Sequence, residues 1–170
     1  NMSYLLSVIP HPDIALVLSV APVHTEQFSG GLSESEKTNE DILLSRIAKE
    51  KMLLARAVRP EGTVILNGDS HYIMNEARAL DAQTITVGAK TTATYHIQDV
   101  QATIHGGSSV IFTHDKKTYH MTFPHMVVFK ESAATTLSVI AAASVLSIPI
   151  AESIATIERI SRLPPGRFSI

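Results

Sequence analysis

The sequence predicts an α/β fold in three layers: a mostly parallel sheet with helices on both faces and a small antiparallel extension. Three observations lead there. Short uninterrupted apolar runs at 13–20, 63–67 and 84–88 alternate with helical patterns, giving the order β-α-β-α-β of a parallel sheet. From about residue 91 to 123 the pattern changes to alternating segments joined by tight turns, the mark of an antiparallel meander. With 170 residues, 45% hydrophobic and 18% charged, the chain is globular and long enough for one domain with a full core.

The elements follow in order. Residues 1–12 contain Pro10 and Pro12 and read as a lead-in, the cut end of a longer chain, and not as a complete element. Asp13–Val20, DIALVLSV, carries a continuous apolar run from Ile14 to Leu18 and is rich in β-branched residues, which suits a strand covered on both faces. It runs into the loop from Ala21 to Gly31, at the carboxyl end of a buried strand, where open α/β sheets place their ligands. Asn39–Val58 reads as a five-turn helix. Thr38 or Asn39 can cap it, acids fill its first turn, and Arg59-Pro60-Glu61-Gly62 stops it. TVILN at 63–67 is a second buried strand, and Asp69 or Ser70 can cap a helix over His71–Leu80. TITVG at 84–88 is the third strand. Segments 91–104, 108–113 and 116–123 form the meander, with His105-Gly106-Gly107 and His114-Asp115 at the turns. Helices are expected over 132–146, alanine-rich, apolar on nearly every side and therefore buried, and over 150–160. The domain then spans 13–163, and residues 164–170 form a junction toward a further domain.

Charge and composition remove several functions. Fourteen Lys and Arg against sixteen Asp and Glu give a net charge of −2 with no basic block, which argues against nucleic acid as a partner. There is no cysteine, so disulfides and thiolate metal sites are excluded, and a cytoplasmic location fits. No apolar run is long enough to cross a bilayer and no secretory leader is visible, so no membrane role is expected.

One residue of the helix at 39–58 stands out. Leu43, Ile47, Leu54 and Val58 form an apolar stripe, widened by Leu44, Ala48 and Ala55, while Arg46, Lys49 and Arg56 fall opposite. Lys51 falls inside the stripe. A buried ammonium is costly unless it is paired or loses its proton. Lys51 is therefore either a lysine snorkelling at the rim of the core or an amine placed for chemistry or metal binding. Of the eight histidines, His114, His120 and His125 lie at spacings of six and five across strands, which is not a zinc pattern. No Ser-His-Asp arrangement is apparent.

The ordered set PDIALVLSVAPVHTEQFSG, IAKEKMLLARAV, PEGTVILNGD, an Ala-rich helix and LPPGRF resembles the central domain of the Mur ligases, over about residues 12–170. Within that family the likeness is strongest to the enzymes that add D-alanyl-D-alanine. The resemblance implies an ATP-dependent ligase that joins an amino acid or dipeptide to a UDP-muramyl-peptide through an acyl phosphate. It implies that His24, in His-x-Glu-x-Phe, is a magnesium ligand. It implies that Lys51 reacts with carbon dioxide to give a carbamate that serves a second magnesium. It implies that Arg167, in Pro-Gly-Arg-Phe, contacts the nucleotide, and that Asn67 and Asp69 match the family's Asn-x-Asp, which is equally a turn and cap device.

The departures point the other way. The family's Gly-Lys-Thr or Gly-Lys-Ser phosphate loop is not in the chain and is expected upstream of residue 1. Ser132, Ala133 and Thr136 stand where the family's adenine-contacting histidine and two asparagines are expected. The isolated chain is therefore expected not to turn over ATP. A degenerate homologue that binds a nucleotide-sugar or a protein without catalysis is the alternative. A bare sheet edge would favour pairing between copies.

Overall fold

The computed structural model describes residues 2–22, 30, 31, 33, 35, 38–103, 107–124 and 126–159. Among these lie five helices and six strands: α1 (Met2–Val8), β1 (Ile14–Val17), α2 (Glu40–Arg56), β2 (Thr63–Asn67), α3 (His71–Ala77), β3 (Gln83–Gly88), β4 (Tyr95–Thr103), β5 (Gly107–His114), β6 (Lys117–Phe123), α4 (Lys130–Val145) and α5 (Ile150–Glu158). The strand order in the sheet is β1-β2-β3-β4-β5-β6. This is the α/β architecture expected, a mostly parallel sheet with helices and an antiparallel extension. The chain divides into two compact units between Thr84 and Ile85.

In the first unit, β1 and β2 pair in parallel, with Ile14 opposite Thr63 and Val17 opposite Leu66. Four consecutive residues of β2, Thr63–Leu66, are buried, so this strand is covered on both faces, as its unbroken apolar run requires. Helix α2 starts at Asn39, whose side chain accepts from Ile42 N at 3.3 Å. Helix α3 starts at Ser70, which accepts from Ile73 N at 3.4 Å. Met52, Ala55 and Val58 close over Val64 and Leu66 of β2 and Ile73 of α3 in one apolar cluster. Gly62 sits where α2 ends and β2 begins. A β-carbon there would come within 2.5 Å of Val58 Cγ1 and 2.6 Å of the Asp13 carbonyl.

Two expectations for this unit change. Residues 2–8 form a complete element, a short helix, within the stretch expected to be only a lead-in. α1 packs on α2, and Met2 N donates to Glu50 Oε1 at 3.0 Å. Met52, outside the expected stripe, is completely buried, while Leu54 is only partly so. α2 contacts α1, α3 and β1, so its buried surface is wider than one stripe.

In the second unit, β3 and β4 run parallel for only two pairs, Val87 opposite Tyr95 and Gly88 opposite His96. Two threonines clasp this short connection. Thr86 N donates to Thr94 Oγ1 at 3.2 Å, and Thr94 N donates to Thr86 Oγ1 at 3.0 Å. Residues 91–94 belong to this turn, so the meander strand expected from 91 begins at Tyr95. β4-β5 and β5-β6 are antiparallel. Asp115 and Lys116, at φ +48° and +62°, make the two-residue turn that closes β5 on β6, the primed type whose twist matches the strands. The other expected turn, at His105-Gly106, lies outside the described residues. α4 packs on β4 and α5 on β6. Leu137, Ile140 and Ala141 of α4 are fully buried, yet Val139 is 54% exposed, so the alanine-rich helix is not enclosed on every side.

Candidate functional site

At the carboxyl ends of β1 and β2 the first unit gathers polar groups around the backbone just beyond β1. Lys51 reaches from the middle of α2, where its neighbours Ile47, Ala48, Met52 and Ala55 are buried, and its Nζ donates to the Ser19 carbonyl at 2.6 Å. Lys51 itself is half-buried. Its stem lies along the core and its ammonium lies at a loop, the geometry of a lysine snorkelling at the rim of the core. Asn67, the last residue of β2, donates from Nδ2 to the adjacent Leu18 carbonyl at 3.0 Å. Its Oδ1 accepts from Asp69 N at 2.9 Å, the local bond that favours asparagine at the start of a turn. Lys51 and Asn67, from two different elements, thus bond consecutive carbonyls.

The helix face opposite the apolar stripe also makes contacts. Arg46 Nη1 donates to the Gly30 carbonyl at 2.9 Å, and Arg56 pairs with Glu76. Lys51 and Arg46 therefore hold backbone on either side of residues 20–29 from one helix. Nothing in the hydrophobic pattern marks Arg46, because an outward arginine reads alike whether or not a loop lies over it. Near the start of α2, Tyr72 donates its hydroxyl to Asp41, which raises the pKa of the phenol above its ordinary value.

His24 and Arg167 lie outside the described residues. Among the described residues no group of three or more His, Asp or Glu side chains could hold a metal ion. His114 is held by its neighbours: its Nδ1 lies 3.1 Å from the Thr94 carbonyl and its ring stacks on Tyr95 at 3.9 Å. His120 is exposed on β6, and His125 lies outside the described residues. In the segment expected to meet adenine, Ala133 is fully buried and the Thr136 hydroxyl donates back to the Ser132 carbonyl at 3.0 Å. No described helix is long and apolar enough to cross a membrane.

The polar side chains collect where the first two parallel strands end, the end of the strands at which open α/β sheets generally hold their ligands. Residues 3–143 match the Mur ligase middle domain family, and the chain belongs to it. The fold is shared with MurF from Acinetobacter baumannii, at TM-score 0.76 and 13% identity, over 97% of this chain and 32% of that one. MurF ligase from Thermotoga maritima in complex with ADP is similar at TM-score 0.73 and 15% identity, over 95% and 33% of the two chains. The UDP-N-acetylmuramate:L-alanyl-gamma-D-glutamyl-meso-diaminopimelate ligase from Neisseria meningitides follows at TM-score 0.59 and 16% identity, over 78% and 38%. The chain spans about a third of the length of these structures. No curated protein sequence matches it.

Proposed function

We propose that the chain is the larger part of the central domain of an ATP-dependent Mur-type amide ligase of peptidoglycan precursor synthesis. The whole enzyme would act in the cytoplasm and join an amino acid or dipeptide, D-alanyl-D-alanine first among them, to a UDP-muramyl-peptide. The observation that carries this reading is the placement of Lys51 and Asn67 on the Ser19 and Leu18 carbonyls, beside the loop that contains His24.

The described side chains alone are no magnesium cage, since the ion takes oxygen ligands in an octahedral set. The chain's remaining donors toward it are His24 and Lys51. The neutral Lys51 amine attacks carbon dioxide and loses one proton to solvent, which leaves a carbamate with anionic oxygens. The nitrogen keeps one N–H, and that N–H can go on donating to the Ser19 carbonyl, which orients the carbamate. Magnesium, when bound, supplies charge shielding for the transferring phosphoryl group. Asn67 and Asp69 fix a turn through the Asp69 N to Asn67 Oδ1 bond and would help hold the nucleotide, which Arg167 would contact. The isolated chain has no Gly-Lys-Thr or Gly-Lys-Ser phosphate loop, so it does not turn over ATP by itself.

A titration of the full-length protein with magnesium and an ATP analogue tests this. His24→Ala weakens binding by about tenfold or more, the usual scale for a lost metal contact. Unchanged binding removes His24 from the site. A second reading, a homologue that binds a nucleotide-sugar or a protein without catalysis, is favoured by the buried Ala133 and the back-bonded Thr136. It is the better one if the wild-type parent binds no ATP analogue and its gene encodes no Gly-Lys-Thr or Gly-Lys-Ser before residue 1.

A further inference from the structure

The register of β1 on β2 runs as far as Val17 opposite Leu66. One residue further on, a side chain continues what the backbone ladder began. Asn67 donates from Nδ2 to the Leu18 carbonyl at 3.0 Å and accepts at Oδ1 from Asp69 N at 2.9 Å. These two partners settle which end of the amide is nitrogen and which is oxygen. They also explain the residue type. A carboxylate has no donor for the carbonyl, a serine hydroxyl reaches less far, and glutamine is one bond longer.

The next carbonyl, that of Ser19, accepts from Lys51 Nζ at 2.6 Å. The Leu18 and Ser19 carbonyls belong to adjacent peptide planes, joined only through the φ and ψ of Ser19. Holding the first plane removes part of the freedom that the second must lose when it takes the lysine. The two side chains are unequal. Asn67 has a short stem, is held at both ends of its amide, and makes its bond to Leu18 partly buried. Lys51 must order a four-carbon stem for one exposed bond. Asn67 is therefore the anchor, and Lys51 follows it.

We propose that Asn67 is a positioning residue for Lys51. By fixing the Leu18 carbonyl it fixes the Ser19 carbonyl, and with it the direction of the Lys51 amine. What that direction is for rests on the reading above, in which the amine takes up carbon dioxide. There the nitrogen bonds to the carbon, one proton passes to solvent, and the remaining N–H stays on the Ser19 carbonyl. This gives Asn67 a task separate from any contact with the nucleotide.

Competitive acylation of the 170-residue chain with trace acetic anhydride, at one fixed pH, tests the coupling. The rate at Lys51 is read by mass spectrometry against that at Lys49, exposed on the same helix. Wild type, Asn67→Ala and Ser70→Ala are compared. Ser70→Ala removes the cap of α3 in the same turn and leaves the Asn67 side chain in place. Asn67→Ala raises the ratio of Lys51 to Lys49 by about threefold or more, the scale of coupling within one hydrogen-bond network. Ser70→Ala leaves the ratio at its wild-type value, and amide exchange at the buried Leu66 stays slow in both variants. Coupling is reciprocal, so Lys51→Met speeds exchange of the Asn67 side-chain amide by a similar factor without any change at residue 67. The proposal is overturned if Asn67→Ala matches wild type, if Ser70→Ala raises the ratio equally, or if Lys51→Met leaves the Asn67 amide unchanged. Carbon-13 bicarbonate separates the two readings. A wild-type chain with no carbamate signal at Lys51 counts against the uptake of carbon dioxide, while the acylation ratio still decides the role of Asn67.

Discussion

In the first unit, Lys51 and Asn67 reach past the end of a strand to carbonyls of the following segment. In the second, Thr86 and Thr94 bond each other's backbone, Ser108 accepts from Val128 N at 2.8 Å, and Glu158 accepts from Thr122. One set of polar groups lies beyond the ends of β1 and β2, and the other closes strands and turns. The contrast teaches that hydrogen-bonding capacity alone does not mark a site.

Three perturbations sharpen the contrast. The largest effect is expected from Phe112→Ala in β5, whose ring is fully buried and stacks on Tyr119 at 5.1 Å. It costs about 3–5 kcal/mol of stability in a urea titration, the range for truncating a buried phenylalanine. A loss below about 1 kcal/mol would show that the core around β5 collapses to fill the hole. The second perturbation is alkaline pH. Burial pushes the Tyr95 phenol above its ordinary pKa, partly offset by a hydrogen bond from Ser144. The folded state therefore holds this proton more tightly than the unfolded state. The stabilisation is complete below the unfolded value of about 10 and is lost as pH rises toward the higher folded value. Tyr95→Phe keeps the ring and flattens this alkaline decline in a series of melts; an unchanged decline assigns it to other groups. The smallest effect on stability is expected from Lys51→Met, about 1 kcal/mol or less, because it removes one exposed hydrogen bond and keeps the apolar stem. The same variant abolishes ligation by the full-length parent if Lys51 serves the chemistry. Residual ligation near wild type would make Lys51 a structural tie only.

Much of the fold was legible because local chemistry and packing agreed. TVILN reads as a buried strand and is a strand over its whole length, buried from Thr63 to Leu66, and Asn39 and Ser70 cap the helices they precede. What escaped depended on partners distant in sequence. α1 is too short to be stable alone and forms against α2, with Glu50 holding its first residue. The parallel step from β3 to β4 needs only the Thr86–Thr94 clasp, a pair no periodicity reveals. At the site, Lys51 could be read because a lysine violates an apolar stripe. Arg46 could not, because an arginine on the outer face breaks no rule until a loop is known to lie above it.

Gly62 carries one more consequence. Its missing side chain lets the exit of α2 and the entry of β1 close on a common point, where β2 begins opposite β1. Any substituent there would act as a wedge at the root of both strands, and the displacement would be felt at their far tips. The absence of one methyl group at the floor of the sheet thus lets the two strands set out side by side.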